Sequence, residues 1–303
     1  MWRWLLIVLL VSGCAEQVAV VDHGLFDVVL CSQVDCFQLF VDAVARAATV
    51  DCALFSVSPL FLDGLQGKDV RLVVDRSQQK RVANFSSVKI RWKDGLMHNK
   101  FCVIDDKLVL TGSFNVVAGR SSFDHVVVST LPSLVGNYQQ EFDELFDGVF
   151  SGGSASPLMI TSSSRTVESY FCPDDGCEDR VLALLSSARS SVHFLLFSFT
   201  SDKIGDVVLQ KFHDGLDVSG VVAAEQISSF SEVPRLQAVG VPIVVADVLV
   251  HHKVFIVDNV SLVLGSYNPT RNGDKVNDEN LLIVHDARIA QVLLQEMDGL
   301  MVR

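Results

Sequence analysis

The sequence predicts an α/β fold made of two copies of one folding unit, each a sheet covered by helices. Three observations predict it. Apolar runs of strand length alternate with amphipathic helical segments. Those runs are apolar on both parities, the pattern of strands buried on both faces. The order of elements in the first half of the 303 residues also returns in the second. Composition narrows the function. Hydrophobic residues make up 49% of the chain, which excludes disorder, and no apolar run is long enough for a polytopic membrane protein. Lys+Arg 24 against Asp+Glu 36 gives a net charge of −12, so nucleic-acid binding would need a local basic site.

Residues 1–14 carry Arg3, an apolar run from Leu5 to Val11, and then Ser12-Gly13-Cys14. This is a signal-peptide pattern, and Val11-Ser12-Gly13-Cys14 resembles a bacterial lipobox. Cys14 is the expected lipidation site. The mature chain is expected to be exported, extracytoplasmic and anchored to a membrane surface as a lipoprotein.

The first unit is placed at 24–147. It opens on Cys31 and Cys36, a C-x4-C loop expected to close as a disulfide in an oxidising space. Zinc is disfavoured there because no His lies at ligand spacing. Strands follow at Val50 to Val57, Val70 to Asp75 and Val88 to Trp92, then the segment His98 to Asn115, then a strand at Val126 to Ser129. Cys52 and Cys102 fall in apolar strand-like runs and read as buried thiols. Leu134, Tyr138, Phe142, Leu145 and Phe146 stand at helical spacing and end the unit. Residues 148–166 are rich in Gly, Ser and Pro and read as a linker. The second unit, 167–303, repeats the order: Cys172 and Cys177 as a second disulfide loop, strands at Val192 to Phe199, Val218 to Ala223 and Val241 to Val245, the segment His251 to Asn268, a strand at Leu281 to His285, and a closing helix.

The chemistry is concentrated in the repeated segment. HNKFCVIDDKLVLTGSFN, from His98, is answered by HHKVFIVDNVSLVLGSYN, from His251, at a constant offset of 153 residues. Residues i and i+2 of a strand share a face, so His98 and Lys100 project together, as do His251 and Lys253. Asp105 and Asp258 mark the far strand ends and read as structural. Ser113 and Asn115, like Ser266 and Asn268, follow a Gly on the returning strand. A Lys supplies a point positive charge and an Asn supplies neutral donors, which suits a phosphate. An imidazole attacks phosphorus when neutral and donates a proton when charged, so two facing copies divide work that one cannot do in a single step. A carboxylate on each ring would fix its tautomer; Asp124, 26 residues after His98, and Glu279, 28 after His251, stand in equivalent places.

These residues resemble the HxKxxxxD and GSxN signature of the phospholipase D superfamily, over almost the whole mature chain. The resemblance implies two α/β/α lobes with mixed sheets, related by pseudo-twofold symmetry, with one site between them. It implies phosphodiester cleavage without metal or cofactor through a covalent phosphohistidine: His98 as nucleophile, His251 as acid and then base, and Lys100, Lys253, Asn115, Asn268, Ser113 and Ser266 at the phosphate oxygens. The family's Glu-Asn is kept at Glu279-Asn280, whereas the first half has Asp124-His125, and His252 stands out of register beside His251. The expected substrate is a phospholipid, since the chain is acidic and exported. A nuclease and a cardiolipin-synthase-like phosphatidyltransferase are the alternatives; the compact lobes without insertions favour the nuclease, which gains if the basic stretch Arg71, Arg76, Lys80, Arg81, Lys89, Arg91 and Lys93 lines the cleft rather than forming a solvated face. A chain that holds both copies is expected to work as a monomer.

Overall fold

Strands buried on both faces require a covering layer on each side. The computed structural model describes residues 18–92, 94–119, 122–154, 157–162 and 165–302; the segment 1–14, with Cys14, lies outside the described residues. Seven strands form the first sheet in the order β2 (Phe26–Leu30), β8 (His125–Ser129), β7 (Leu108–Gly112), β6 (Lys100–Ile104), β3 (Thr49–Leu54), β4 (Asp69–Asp75) and β5 (Val88–Arg91). Nine form the second, in the order β1 (Val18–Val21), β9 (Leu158–Thr161), β10 (Thr166–Cys172), β16 (Glu279–His285), β15 (Ser261–Gly265), β14 (Lys253–Val257), β11 (Ser191–Leu196), β12 (Asp217–Ala223) and β13 (Ile243–Ala246). The last seven repeat the first sheet strand for strand. In both seven-strand sets the three strands at one end run parallel and the rest antiparallel, and the extra strand β1 of the second sheet pairs parallel with β9.

Side-chain alternation divides each sheet into two cores. On β3, Val50, Cys52 and Leu54 point outward, to a cluster shared with α1 (Cys36–Ala45) and α2 (Pro59–Gly64), while Ala53 points inward. The outer face of the second sheet is covered by α4 (Cys177–Ser186), α5 (Asp202–His213) and α6 (Val233–Ala238). The two inner faces share one cluster. It joins Phe101 and Val73 to Tyr138 and Phe142 of α3 (Pro132–Asp147), and joins Leu195 and Ile256 to Ile289 and Leu293 of α8 (Ala287–Met301). The lobes are therefore five stacked layers, with α3 and α8 in the middle. A short α7 (Arg271–Lys275) follows the second motif.

Two expectations are corrected here. Residues 148–166 are not only a linker: Leu158–Thr161 within them form β9, which pairs with β1 and β10. Cys52 and Cys102 are not thiols: they face each other in the β3–β6 register and form a disulfide. The two short loops are also closed, Cys31 to Cys36 and Cys172 to Cys177. Asp105 and Asp258 stand at the far ends of β6 and β14. Asp105 accepts the backbone N–H of Ala48 and Thr49, and Asp258 those of Arg189, Ser190 and Ser191. Each carboxylate ties a β-turn to the start of the neighbouring strand.

Candidate active site

The lobes are stitched together immediately before each histidine. The His98 N–H donates to Asp278 O (3.0 Å) and the Asp278 N–H to Leu96 O (2.9 Å); the His251 N–H donates to Phe123 O (2.9 Å) and the Phe123 N–H to Leu249 O (2.9 Å). Asp278 precedes Glu279, and Phe123 precedes Asp124. Each backbone bridge thus delivers the acid of one lobe to the histidine of the other. His98 Nδ1 donates to Glu279 Oε2 (2.6 Å), and His251 Nδ1 to Asp124 Oδ1 (2.7 Å). The pairs cross between the lobes. Nδ1 of each ring is occupied, so Nε2 is the nitrogen left for chemistry.

The carboxylates are held from behind, which changes the expected role of two residues. Ser113 and Ser266 are fully buried. They donate not to a phosphate but to Asp124 (2.6 Å) and Glu279 (2.7 Å), while accepting the backbone N–H of His125 and Asn280 (3.0 Å each). A hydroxyl enclosed in this way cannot reach a ligand. Ser122 donates to the other oxygen of Asp124, and Asn277 to that of Glu279. The glycine before each Ser is required. Gly112 (φ +145) and Gly265 (φ +132) would each place a Cβ 2.4 Å from a carbonyl oxygen, that of His125 and of Asn280 respectively.

Lys100 and Lys253 are buried, and each Nζ donates to the carbonyl of its own histidine (2.6 Å). Each also lies over an aromatic ring, Phe55 at 5.2 Å and Phe197 at 5.0 Å. The same two rings pack on the imidazoles, with centroids 4.9 Å apart for Phe55 and His98 and 4.7 Å for Phe197 and His251. Phe55 and Phe197 escaped the sequence reading, although they stand at the same place in the repeated strands VDCALFSV and VHFLLFSF. Asn115 and Asn268 each keep a buried carboxamide oxygen with no hydrogen-bond partner. Such an atom in both copies marks a side chain held for something other than folding.

Electrostatics follow from burial and the lysines. Burial pushes the His251 imidazolium down to about 3, with Lys253 adding to the effect and Asp124 opposing it. His98 is lowered for the same reasons, burial first. Each imidazole also feels the lysine of the opposite lobe, which places both pairs in one electrostatic space. Burial alone would raise Asp124 and Glu279. The facing histidines, lysines and serines outweigh it and hold both carboxylates ionised. The site is thus poised with two neutral imidazoles, two carboxylates and two ammonium groups.

The basic stretch is partly engaged elsewhere. Arg71 pairs with Asp51 and Asp143, and buried Arg91 pairs with Asp278 across the lobes. Lys89 packs against Gly148, Arg81 donates to Val57 O (2.7 Å), and Lys93 lies outside the described residues. Arg76 and Lys80 remain exposed after β4. The second lobe has a cavity of about 600 Å³ lined by Ser198, Thr200, Glu225, Ile227, Phe230 and Thr270, among others. Ser198 follows Phe197, and Thr270 lies two residues beyond Asn268.

The family model described as "Cardiolipin synthase, PLD-like domain" matches residues 60–146 and 181–301, more than half of the chain. The chain is similar to the phospholipase D of Rickettsia bellii (strain RML369-C), 27% identical over 140 residues, covering 45% of this chain and 70% of that protein. It is similar to the mitochondrial cardiolipin hydrolase of Mus musculus, 31% identical over 154 residues, covering 50% of this chain and 65% of that protein. Among solved structures, phosphatidylserine synthase from Haemophilus influenzae Rd KW20 shares the fold at a TM-score of 0.63 and 13% identity, over 92% of this chain and 86% of that one.

Proposed function

The chain belongs to the PLD-like family, and on that premise we propose that it hydrolyses phospholipid head-group phosphodiesters through a phosphohistidine on His98. The observation that carries this reading is the crossed arrangement of His98 with Glu279 and His251 with Asp124, with a buried lysine beside each ring. His98 Nε2 attacks phosphorus and forms the N–P bond as the P–O bond to the head-group alcohol breaks. His251 gives its Nε2 proton to the leaving oxygen. The same nitrogen then takes a proton from water, whose oxygen attacks phosphorus and releases His98. A phosphodiester anion lying between Lys100 and Lys253 offsets their charge, so His251 takes up its proton as substrate binds. The two lysines, with Asn115 and Asn268, stabilise charge on the equatorial oxygens. Loss of one such preorganised donor costs about 3 kcal/mol.

Four observations favour phospholipid over nucleic acid. The chain carries a net charge of −12. Arg71 and Arg91 of the basic stretch are consumed by ion pairs. The second-lobe cavity lined by Ser198 and Thr270 presents exposed Ile227 and Phe230. Two of the similar proteins are named for phospholipid or cardiolipin cleavage. Three disulfides favour an oxidising, extracytoplasmic compartment, in line with the lipobox-like start and a tether at Cys14. The test offers the purified protein phosphatidylcholine, cardiolipin, single-stranded DNA and duplex DNA with EDTA present, alongside His98→Ala and His251→Ala. Release of head group, abolished in both variants, is expected. Cut DNA with intact lipid would replace this reading with the nuclease, and head-group exchange for an added alcohol with little hydrolysis would replace it with the phosphatidyltransferase.

A further inference from the structure

The residue after each member of a crossed pair is also paired across the lobes. Asn99 follows His98 and Asn280 follows Glu279; the Asn280 Nδ2 donates to Asn99 Oδ1 at 2.8 Å. His252 follows His251 and His125 follows Asp124; their Nδ1 atoms lie 3.1 Å apart, with the ring planes 7° apart and the centroids separated by 5.4 Å. All four side chains are fully buried. The pseudo-twofold axis therefore relates an amide pair to an imidazole pair. The departure from Asn at His125 is matched by a departure from Asn at His252.

Only one set of protons satisfies the imidazole pair. The Gly265 N–H donates to His125 Nε2 (3.2 Å), so the His125 proton sits on Nδ1. That proton is given to His252 Nδ1, which leaves the His252 proton on Nε2, where it is given to Glu296 Oε1 (2.8 Å). Glu296 Oε2 accepts from Ser32, on the Cys31–Cys36 loop. Donors and acceptors match at every step from Gly265 to the loop. The chain of bonds also touches both crossed pairs from behind. Gly265 precedes Ser266, which holds Glu279, and the His125 N–H is held by Ser113, which holds Asp124.

We infer that His125 and His252 are positioning residues: an interlobe clasp in two fixed neutral tautomers that orients the His251–Asp124 pair, as Asn99 and Asn280 orient His98–Glu279. Replacing one ring leaves the facing nitrogen buried without a partner, and the backbone carrying His251 or Asp124 shifts to relieve it. Displacement of a reacting group by about 1 Å costs up to roughly 10²-fold in rate. An amide pair in place of the imidazole pair fits by symmetry, provided Glu296 no longer needs a donor. The catalytic half of this inference rests on the function proposed above; the tautomers do not.

Two measurements test it. Long-range ¹H–¹⁵N spectra of the labelled wild-type protein at neutral pH are expected to show His125 protonated on Nδ1 only and His252 on Nε2 only. Either ring in the other tautomer, or as an imidazolium, overturns the clasp. His125→Asn and His252→Asn are expected to lower kcat about 10- to 100-fold, with KM within about threefold, on whichever diester of the panel above is cleaved fastest. The triple variant H125N/H252N/E296Q copies the amide pair and is expected to recover to within about fivefold of wild type. The Nδ1–H signal of His251 should weaken in the single variants and return in the triple, a readout that needs no turnover. Single variants with full activity and an unchanged His251 signal, or a triple variant no better than the singles, overturn the inference. If the wild type cleaves none of the four substrates, the proposed function falls, and the His251 signal still decides the clasp.

Discussion

At the scale of single residues, the crossing of the acids would separate the two half-reactions of the proposed mechanism. Glu279 holds His98, the proposed nucleophile, whereas Asp124 holds His251, the proposed proton carrier. Asp124→Asn should therefore spare attack on a p-nitrophenyl diester, whose leaving group needs no proton, and slow the water step. Loss of the orienting acid in a serine-protease triad costs about 10⁴-fold, and a loss of roughly 10²- to 10⁴-fold in steady-state rate is expected here. The variant should accumulate a phosphohistidine on His98, visible by acid-labile labelling or intact mass. Glu279→Gln should accumulate none, because attack itself is impaired. Label in Glu279→Gln and none in Asp124→Asn would exchange the two histidines' roles. The sequence alone made both acids legible, because each lies a similar distance after its motif. It could not show the crossing. Counting along the chain assigns an acid to the nearest upstream histidine, whereas the backbone bridges at Asp278 and Phe123 join residues of different lobes. The roles of Ser113 and Ser266 were hidden for the same reason, since a hydroxyl beside a phosphate and one beneath a carboxylate read alike as GSxN.

At the scale of elements, the duplicated strands were readable because both parities are apolar, and Val50, Cys52 and Leu54 pack one face of β3 while Ala53 packs the other. Register was not readable. Cys52 and Cys102 meet only because β3 and β6 pair antiparallel at that residue, and nothing local to either strand records its partner. β9 was missed because its four residues sit among Gly, Ser and Pro, and its stability comes from β1 and β10 on either side. The register has a measurable consequence. In the chain-entropy account, closing a loop with a sequence separation of 50 stabilises by about 4 kcal/mol, against about 2 kcal/mol for a separation of 5. Replacing Cys52 and Cys102 by Ala should thus lower the denaturant midpoint about twice as far as replacing Cys31 and Cys36. Equal or reversed losses would show that the cross-strand bond does not restrain the unfolded chain in this way.

At the scale of the whole molecule, the lobes are not separate bodies joined by a linker. Their inner faces share one core with α3 and α8, and the crossed His–carboxylate pairs, the His125–His252 contact and four backbone hydrogen bonds all run between them. Arg91 reinforces this connection at Asp278. It is 1% exposed, pairs with Asp278, and donates to the carbonyls of Asp94 and Val276 (2.6 Å each) and to Ser151 in the linker. Neither sheet can lose its inner layer without exposing the other's, so thermal unfolding is expected as one transition with equal calorimetric and van't Hoff enthalpies. Removing one partner of a buried ion pair leaves the other charge uncompensated and costs about 3–5 kcal/mol. Arg91→Ala should therefore move that single transition to lower temperature as a unit, although Arg91 belongs to the first sheet and Asp278 to the second. Two resolved transitions in the wild type, or an Arg91→Ala scan in which one half melts early and the other stays at the wild-type midpoint, would show that the lobes fold independently and that the shared core contributes little to holding the two histidines together.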